Sequence, residues 1–263
     1  MTPAFGPLMG DFYKPTKAAE RRSSFKSADA FVVLTEQGRR ILFGAGADED
    51  NRGRPVEVIP CCVDLKRFSS AAASASVDEV RKNLDLDGRR VIVYSRRAWR
   101  LVYLTDEMAD FLAAAHRQNP ATFSMILTQS RPEMISDRLR ELGVSERDYM
   151  VRKVAPIDIP SYLRAAHFAL SFIKPCYSKL ASSPTKVAEY LAAGLPVISN
   201  AGIGDLDEMI AADRVGVIVR EFNEAAYLES IIEAEKLMEE GAEPCGAVYG
   251  KRRKQVRPGN RRR

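Results

Sequence analysis

Ser183, Pro184, Thr185, Lys186 and Glu189 are the residues whose types and spacing point most directly to chemistry. Ser183 reads as a helix N-cap, and Pro184 suits the first helical position, where its missing N–H costs nothing. Gly194, with Pro196 two residues on, marks the other end. The free N–H groups of Thr185, Lys186 and Val187, together with the positive end of the helix dipole, make an anion site that a diphosphate would fit. Ser182 and Ser183 flank it. Glu189 follows about one and a half turns into the helix, so its carboxylate could accept hydrogen bonds from two vicinal hydroxyls while phosphates sit at the helix start. A ribose supplies such a pair. The plain alternative is an ordinary Ser-Pro helix start with a solvated glutamate.

The elements that must position these residues follow from periodicity. From Arg90 onward, short apolar runs alternate with segments of helical period. The runs are Val91–Tyr94, Phe123–Thr128, Tyr149–Arg152, Phe168–Phe172, Val197–Ser199 and Val215–Val219. The helical segments are Thr105–Arg117, Glu133–Leu142, Asp158–Ala166, Pro184–Ala193 and Asp205–Ala212. Repeated β/α units imply an α/β fold with a doubly wound, parallel, Rossmann-like sheet, whose ligands bind at the carboxyl ends of the strands. That places Ser95, Thr128, Lys153, Ile173 and Asn200 at the edge of interest.

The earlier residues follow another pattern. Ala28–Thr35 reads as a buried strand, Glu36–Phe43 as a helix, Gly44–Arg54 as a loop and Val56–Pro60 as a strand. Ala71–Ser76 is a small-residue linker. Residues 1–60 therefore read as the end of one domain, 61–85 as an interdomain linker, 86–240 as the ligand-binding domain and 241–263 as a basic, disordered tail. Asp205 reads as the N-cap of the helix after it. His116, near a helix C-terminus, and His167, ahead of a strand, read as structural. The four cysteines include no C-x-x-C pair, which argues against zinc or a disulfide framework, and the adjacent Cys61 and Cys62 read as buried packing. The N-terminus has no signal pattern and no run is long enough to span a membrane, so the expectation is cytoplasmic. The net charge of +5 is concentrated: Lys251–Arg263 carries eight of the 40 basic residues and no acid, leaving 32 against 35 acidic residues elsewhere. Basicity belongs to the tail, and no specific nucleic-acid partner is expected.

Three segments resemble family 4 glycosyltransferases. Glu57–Phe68, containing Ile59-Pro60-Cys61-Cys62-Val63-Asp64, is similar to their interdomain segment, usually I-P-N-G-V-D-x-x-x-F. Lys186–Ile198 resembles their donor-binding helix and the strand after it, and Ala28–Glu36 resembles the last strand of the acceptor domain. The resemblance implies half of a two-domain GT-B enzyme that transfers a sugar from a UDP- or GDP-sugar with retained configuration, without a metal or other required cofactor. Glu189 matches the second glutamate of the family's E-x7-E motif, which holds the ribose. The first, which contacts the donor sugar, falls at Ala181. Base contacts fall on Val154-Ala155-Pro156, and the turn after Ser95, beginning at Arg96, lies beside the phosphates. No catalytic residue is assigned. The Ala-Ser-Ser-Pro-Thr-Lys variant resembles a subgroup associated with surface-polysaccharide synthesis. The implied partners are a nucleotide sugar, an acceptor domain whose beginning is absent from this sequence, and peripheral contact at the inner membrane.

The chain departs from that family in the turn after Ser95, normally glycine-rich so that backbone can approach phosphates. Arg96-Arg97-Ala98-Trp99-Arg100-Leu101-Val102 contains no glycine. Its guanidinium groups would suit phosphate oxygens. One permissible coding of this stretch, read one base later, gives Gly-Glu-Leu-Gly-Gly-Trp. A coding of Val256–Arg263 shifted likewise gives Phe-Asp-Leu-Glu-Thr-Gly-Val. Both stretches are therefore expected to be out-of-frame translations, and transferase activity is expected to be impaired.

Overall fold

The computed structural model describes residues 25–68, 76–95, 104–128 and 132–240. Its main elements are β1 (Phe31–Val33), α1 (Glu36–Phe43), β2 (Val56–Val58), α2 (Val77–Asn83), β3 (Arg90–Ser95), α3 (Thr105–Gln118), β4 (Thr122–Leu127) and α4 (Pro132–Glu141). They continue as β5 (Tyr149–Arg152), α5 (Ile159–Arg164), β6 (Phe168–Ser171), α6 (Thr185–Ala192), β7 (Val197–Asn200), α7 (Leu206–Asp213), β8 (Gly216–Val219) and α8 (Glu224–Glu239).

Strands β3 to β8 form one parallel sheet in the order β5-β4-β3-β6-β7-β8. The chain runs outward from β3 through β4 to β5, then crosses to the other side of β3. The order therefore reverses between β3 and β6, where the crevice of a doubly wound sheet opens.

Side-chain alternation explains why both faces are covered. On β3, Val91 and Val93 enter one core with Met125, Leu127, Ala169 and Val197, beneath α2, α5, α6 and α7. Ile92 and Tyr94 enter the opposite core with Ile126, Leu170, Ile198 and Val217, beneath α3, α4 and α8. The fold class expected from periodicity is thus the observed one, with strand ends shifted by a residue or two.

Strands β1 and β2 stand apart as a two-stranded parallel sheet, in register Phe31↔Val56 to Val33↔Val58. The expected buried strand over Ala28–Thr35 is corrected here. Only three residues are strand, and Val32 and Leu34 are 61% and 40% exposed. β1 has one strand neighbour and a cover on one side, where Phe31 packs on Phe43 and Phe25 with ring centroids 4.9 and 5.1 Å away. Cys61 and Cys62 also differ from expectation. Cys61 is half-buried and Cys62 exposed, because the segment after β2 runs along the surface rather than into a core.

Among the described residues, no helix is long and apolar enough to cross a membrane, and no cluster of His, Cys, Asp or Glu could hold a metal ion.

Candidate functional site

Helix α6 brings the predicted residues to the crevice. It follows β6 through residues 172–184, and Val187, Ala188, Tyr190 and Leu191 bury its inner face. Its end is well closed: Gly194 takes φ +87°, its N–H donates to the Leu191 carbonyl, and Leu195 N–H donates to the Tyr190 carbonyl. This is a Schellman motif, with glycine at its left-handed position.

Tyr190 ties α6 to the switch point. Its hydroxyl accepts the Ser95 N–H at 2.9 Å and donates to the Ser95 carbonyl at 3.3 Å. β3 pairs with β6 only at Ile92↔Phe168 and Val93↔Ala169, so Ser95 lies beyond the last β6 partner. The phenol takes the place of a strand there, and Ser95 is itself buried. Ordinary patterning reads Tyr190 as a core aromatic; its hydroxyl had no signal in the sequence.

The start of α6 is open. Pro184, with φ −70° and ψ 114°, is the N-cap residue, and no side chain caps the helix. The Val187 N–H returns to the Pro184 carbonyl at 3.0 Å, which removes it from the expected anion site. The Thr185 and Lys186 N–H groups have no acceptor among the described residues, as two of the orphan donors of a helix start. Ser183 is therefore corrected: it precedes the cap, and its Oγ accepts the Cys61 N–H at 3.1 Å. The reason is the extended Pro184, which carries Ser183 away from the first-turn amides and toward the segment after β2. Ser182 is half-buried, and its Oγ donates to the Ser178 carbonyl at 3.4 Å.

One turn on, Glu189 is largely buried and pairs with Lys186, Nζ to Oε2 at 2.7 Å. The structure thus brings together the open amides of Thr185 and Lys186, the Lys186 ammonium and the Glu189 carboxylate. It does not add the Val154 side chain, which is buried in the core with Val63 and Phe68. Pro156 is exposed, and its carbonyl accepts from Arg67 of the segment after β2. Arg96 lies outside the described residues, as do the remainder of its turn, residues 69–75 of the linker and the basic tail.

The loop after β7 completes the surroundings. Asn200 is buried; it accepts the Ile173 N–H at 2.7 Å and donates to the carbonyls of Ile173 (2.9 Å) and Ala201 (3.0 Å), joining the ends of β6 and β7. Asp205 stands at the N-cap position of α7 but makes no side-chain cap bond there. Its carboxylate instead accepts the Glu36 N–H at 2.7 Å and the Gln37 N–H at 3.1 Å, at the start of α1. The expected local cap is thus corrected: α1 offers amides aimed outward, and a φ of −95° with ψ 16° turns Asp205 away from its own helix.

His116 and His167, expected to be structural, each have a hydrogen-bond partner on the sheet. His116 Nε2 lies 2.9 Å from Ser124 Oγ, and burial lowers its pKa to about 4. The Val91 N–H donates to His167 Nδ1 at 2.9 Å, and burial lowers that pKa as well.

A six-stranded, doubly wound parallel sheet with an uncapped helix at its switch point has the form of one α/β half of a GT-B fold. The sequence profile of the family described as "Glycosyl transferases group 1" matches residues 77–246, and the chain belongs to that family. Its fold is similar to Anabaena Alr3699/HepE, solved with UDP and glucose, at TM-score 0.67 and 17% identity, over 91% of this chain and 64% of that one. It is also similar to WaaG, a glycosyltransferase involved in lipopolysaccharide biosynthesis, at TM-score 0.61 and 17% identity, over 92% and 68%. The C-terminal domain of LpcC from Francisella tularensis matches at TM-score 0.54 and 17% identity, over 73% of this chain and 98% of that domain. The chain thus spans about two thirds of the length of the first two. No curated protein sequence matches it.

Proposed function

We propose that this chain carries the donor-binding half of a retaining glycosyltransferase of family 4, and that it binds a nucleoside diphosphate sugar. The observation that carries this reading is α6. Two first-turn amides, without an acceptor among the described residues, face the carboxyl edge of the sheet, and the Glu189 carboxylate follows one turn later. The diphosphate sits on the Thr185 and Lys186 amides, and the ribose hydroxyls donate to Glu189. In transfer, the bond from the sugar C1 to the diphosphate oxygen breaks and a bond from the acceptor oxygen to C1 forms. The helix start stabilises the negative charge that develops on the leaving diphosphate.

UDP is the favoured nucleotide, because the fold is similar to a protein solved with UDP and glucose; GDP is the second. The acceptor is a cell-surface polysaccharide or glycolipid, handled at the cytoplasmic face of a membrane. Similarity to WaaG, which acts in lipopolysaccharide biosynthesis, favours this class. An acceptor-side domain would continue the β1–β2 sheet and cover Val32, Leu34 and Leu42, which are all exposed. Turnover by this chain is impaired, because the turn after Ser95 carries Arg96, Arg97 and Arg100 and no glycine.

Calorimetric titration with UDP, GDP and their sugars, on the native chain and on Glu189→Ala, tests the proposal. The native chain should bind one nucleotide series. Glu189→Ala should lose roughly 1.5–3 kcal/mol, the range for a hydrogen bond to a charged group, or about 10- to 150-fold in affinity. Failure of every nucleotide to bind the native chain would remove the donor-site reading.

A further inference from the structure

Lys186 occupies an electrostatically unfavourable position. Among the described residues, every other helix of eight or more residues carries an acid in its first turn: Glu36, Asp106, Glu133, Asp207 and Glu224 begin the series on α1, α3, α4, α7 and α8. Such acids complement the positive helix start, whereas a cation there is disfavoured by the same field. α6 has no acid in its first turn and no side-chain cap, and it carries Lys186 at its second position. The partner of Lys186 is Glu189, three residues later. A lysine N-terminal to its glutamate is also the weaker orientation for a helical ion pair.

The pair is nevertheless well formed and shielded. Nζ lies 2.7 Å from Oε2, and the two side chains are 30% and 12% exposed. Glu189 is the group proposed above to receive the ribose, so its carboxylate already holds a cation at the place where hydroxyl donors must arrive. The same ammonium sits on the residue whose backbone amide faces the diphosphate.

We propose that Lys186 is a specificity-determining residue that exchanges partners on donor binding. In the free protein its ammonium rests on Glu189, and in the complex it moves to the diphosphate, releasing Oε2 to the ribose. The proposal rests on the nucleotide reading above and adds a consequence absent from it. A nucleoside without phosphates must displace the ammonium from Glu189 and offers it nothing in return. A nucleoside diphosphate offers it an anion at the helix start. Lys186 therefore selects against nucleosides and for nucleoside diphosphates, the two effects having opposite signs.

The test is calorimetric titration of the native chain, Lys186→Met and Lys186→Arg with uridine, UDP, guanosine and GDP. Methionine keeps the apolar stem and removes the charge, with little change in helix propensity. In Lys186→Met, affinity for the nucleoside should rise about two- to threefold, on the scale of a helical ion pair no longer broken. Affinity for the nucleoside diphosphate should fall about tenfold or more, on the scale of a lost charge-assisted contact. Lys186→Arg, which keeps the charge, should retain the native preference. If Lys186→Met does not fold, Lys186→Gln carries the same expectation. A variant that weakens both ligands, or leaves nucleoside affinity unchanged, overturns the exchange while leaving the donor site in place. Failure of the native chain to bind either nucleoside diphosphate overturns the nucleotide reading itself.

Discussion

Replacing Asp205 by alanine separates two accounts of one carboxylate. Sequence rules place it at the start of α7, as that helix's own cap. In the structure both oxygens instead accept backbone N–H groups of α1, from Glu36 at 2.7 Å and Gln37 at 3.1 Å. The Glu36 contact is at the surface and the Gln37 contact half-buried, so neither carries the weight of a buried ion pair. A carboxylate at a helix start contributes about 0.3–1 kcal/mol through the dipole, and loss of a side-chain cap costs typically about 1 kcal/mol. α1 keeps its second cap, the Gly38 N–H donating to Thr35 Oγ1 at 2.9 Å. Asp205→Ala should therefore weaken the first turn of α1 by about 1–2 kcal/mol, which is a factor of about 5 to 30 in the population of its open form. Amide hydrogen exchange followed by NMR reads this directly. The Glu36 and Gln37 amides should exchange faster by that factor, while the amides of Leu206–Asp213 keep their native protection. Asp205→Asn, which retains an acceptor oxygen, should fall between. If the first-turn amides of α7 lose protection and those of α1 do not, Asp205 caps its own helix and the contact between the two sheets is not made by this residue.

Gly204→Ala should destabilise the chain by roughly 2–4 kcal/mol in urea unfolding. Its φ is +50°, and an added Cβ would lie 2.2 Å from the Ser182 carbonyl oxygen, so overpacking and left-handed strain combine. Gly44→Ala is the control: its φ is also positive, at +104°, but nothing lies within 4 Å of an added Cβ, so only the backbone penalty remains. Stability should also fall as pH is lowered through the window from about 6.5 to about 4. His116 stays neutral in the folded chain down to about 4, whereas the unfolded chain takes up a proton near 6.5, so unfolding binds protons and acid favours it. His167 acts in the same direction, since Nδ1 accepts the Val91 N–H only while unprotonated. Urea midpoints measured from pH 7 to 4 should fall, and His116→Gln should flatten that slope; a midpoint unchanged across the window refutes the assignment.

The sheet was readable because its signal is local and repeated. Each of β3 to β8 announces itself as a short apolar run, and the faces follow from alternation, as Val91 and Val93 against Ile92 and Tyr94 illustrate. Helix α6 was readable for the same reason, with Gly194 closing it where a left-handed residue was required. The two capping assignments failed together. Ser183 and Asp205 were matched with the nearest helix amides, but their partners are Cys61, 122 residues away, and Glu36, 169 away. A short polar side chain ranks local donors by propensity alone, and the sequence carries no information on amides brought in by tertiary contact. The Tyr190 hydroxyl is hidden from the sequence on the same grounds: its place is legible as core, while its partner Ser95 depends on β6 stopping short of β3's end.

Several long-range contacts converge on one segment, residues 178–184, which leads directly into α6. From the α1 side, Thr35 Oγ1 donates to the Leu180 carbonyl at 3.0 Å, and the Cys61 N–H reaches Ser183 Oγ. From the β7 side, the Gly204 N–H donates to the Lys179 carbonyl at 2.8 Å. Between them lies Ala181. A Cβ added at Gly38 would meet the Ala181 Cβ at 3.2 Å and Thr35 Oγ1 at 3.0 Å. Two small residues are therefore matched across this contact, and a Cβ at Gly38 would require α1 or the loop to shift by a few tenths of an ångström. The small residues at 38 and 181 thus let α1 lie close against the loop that leads into α6.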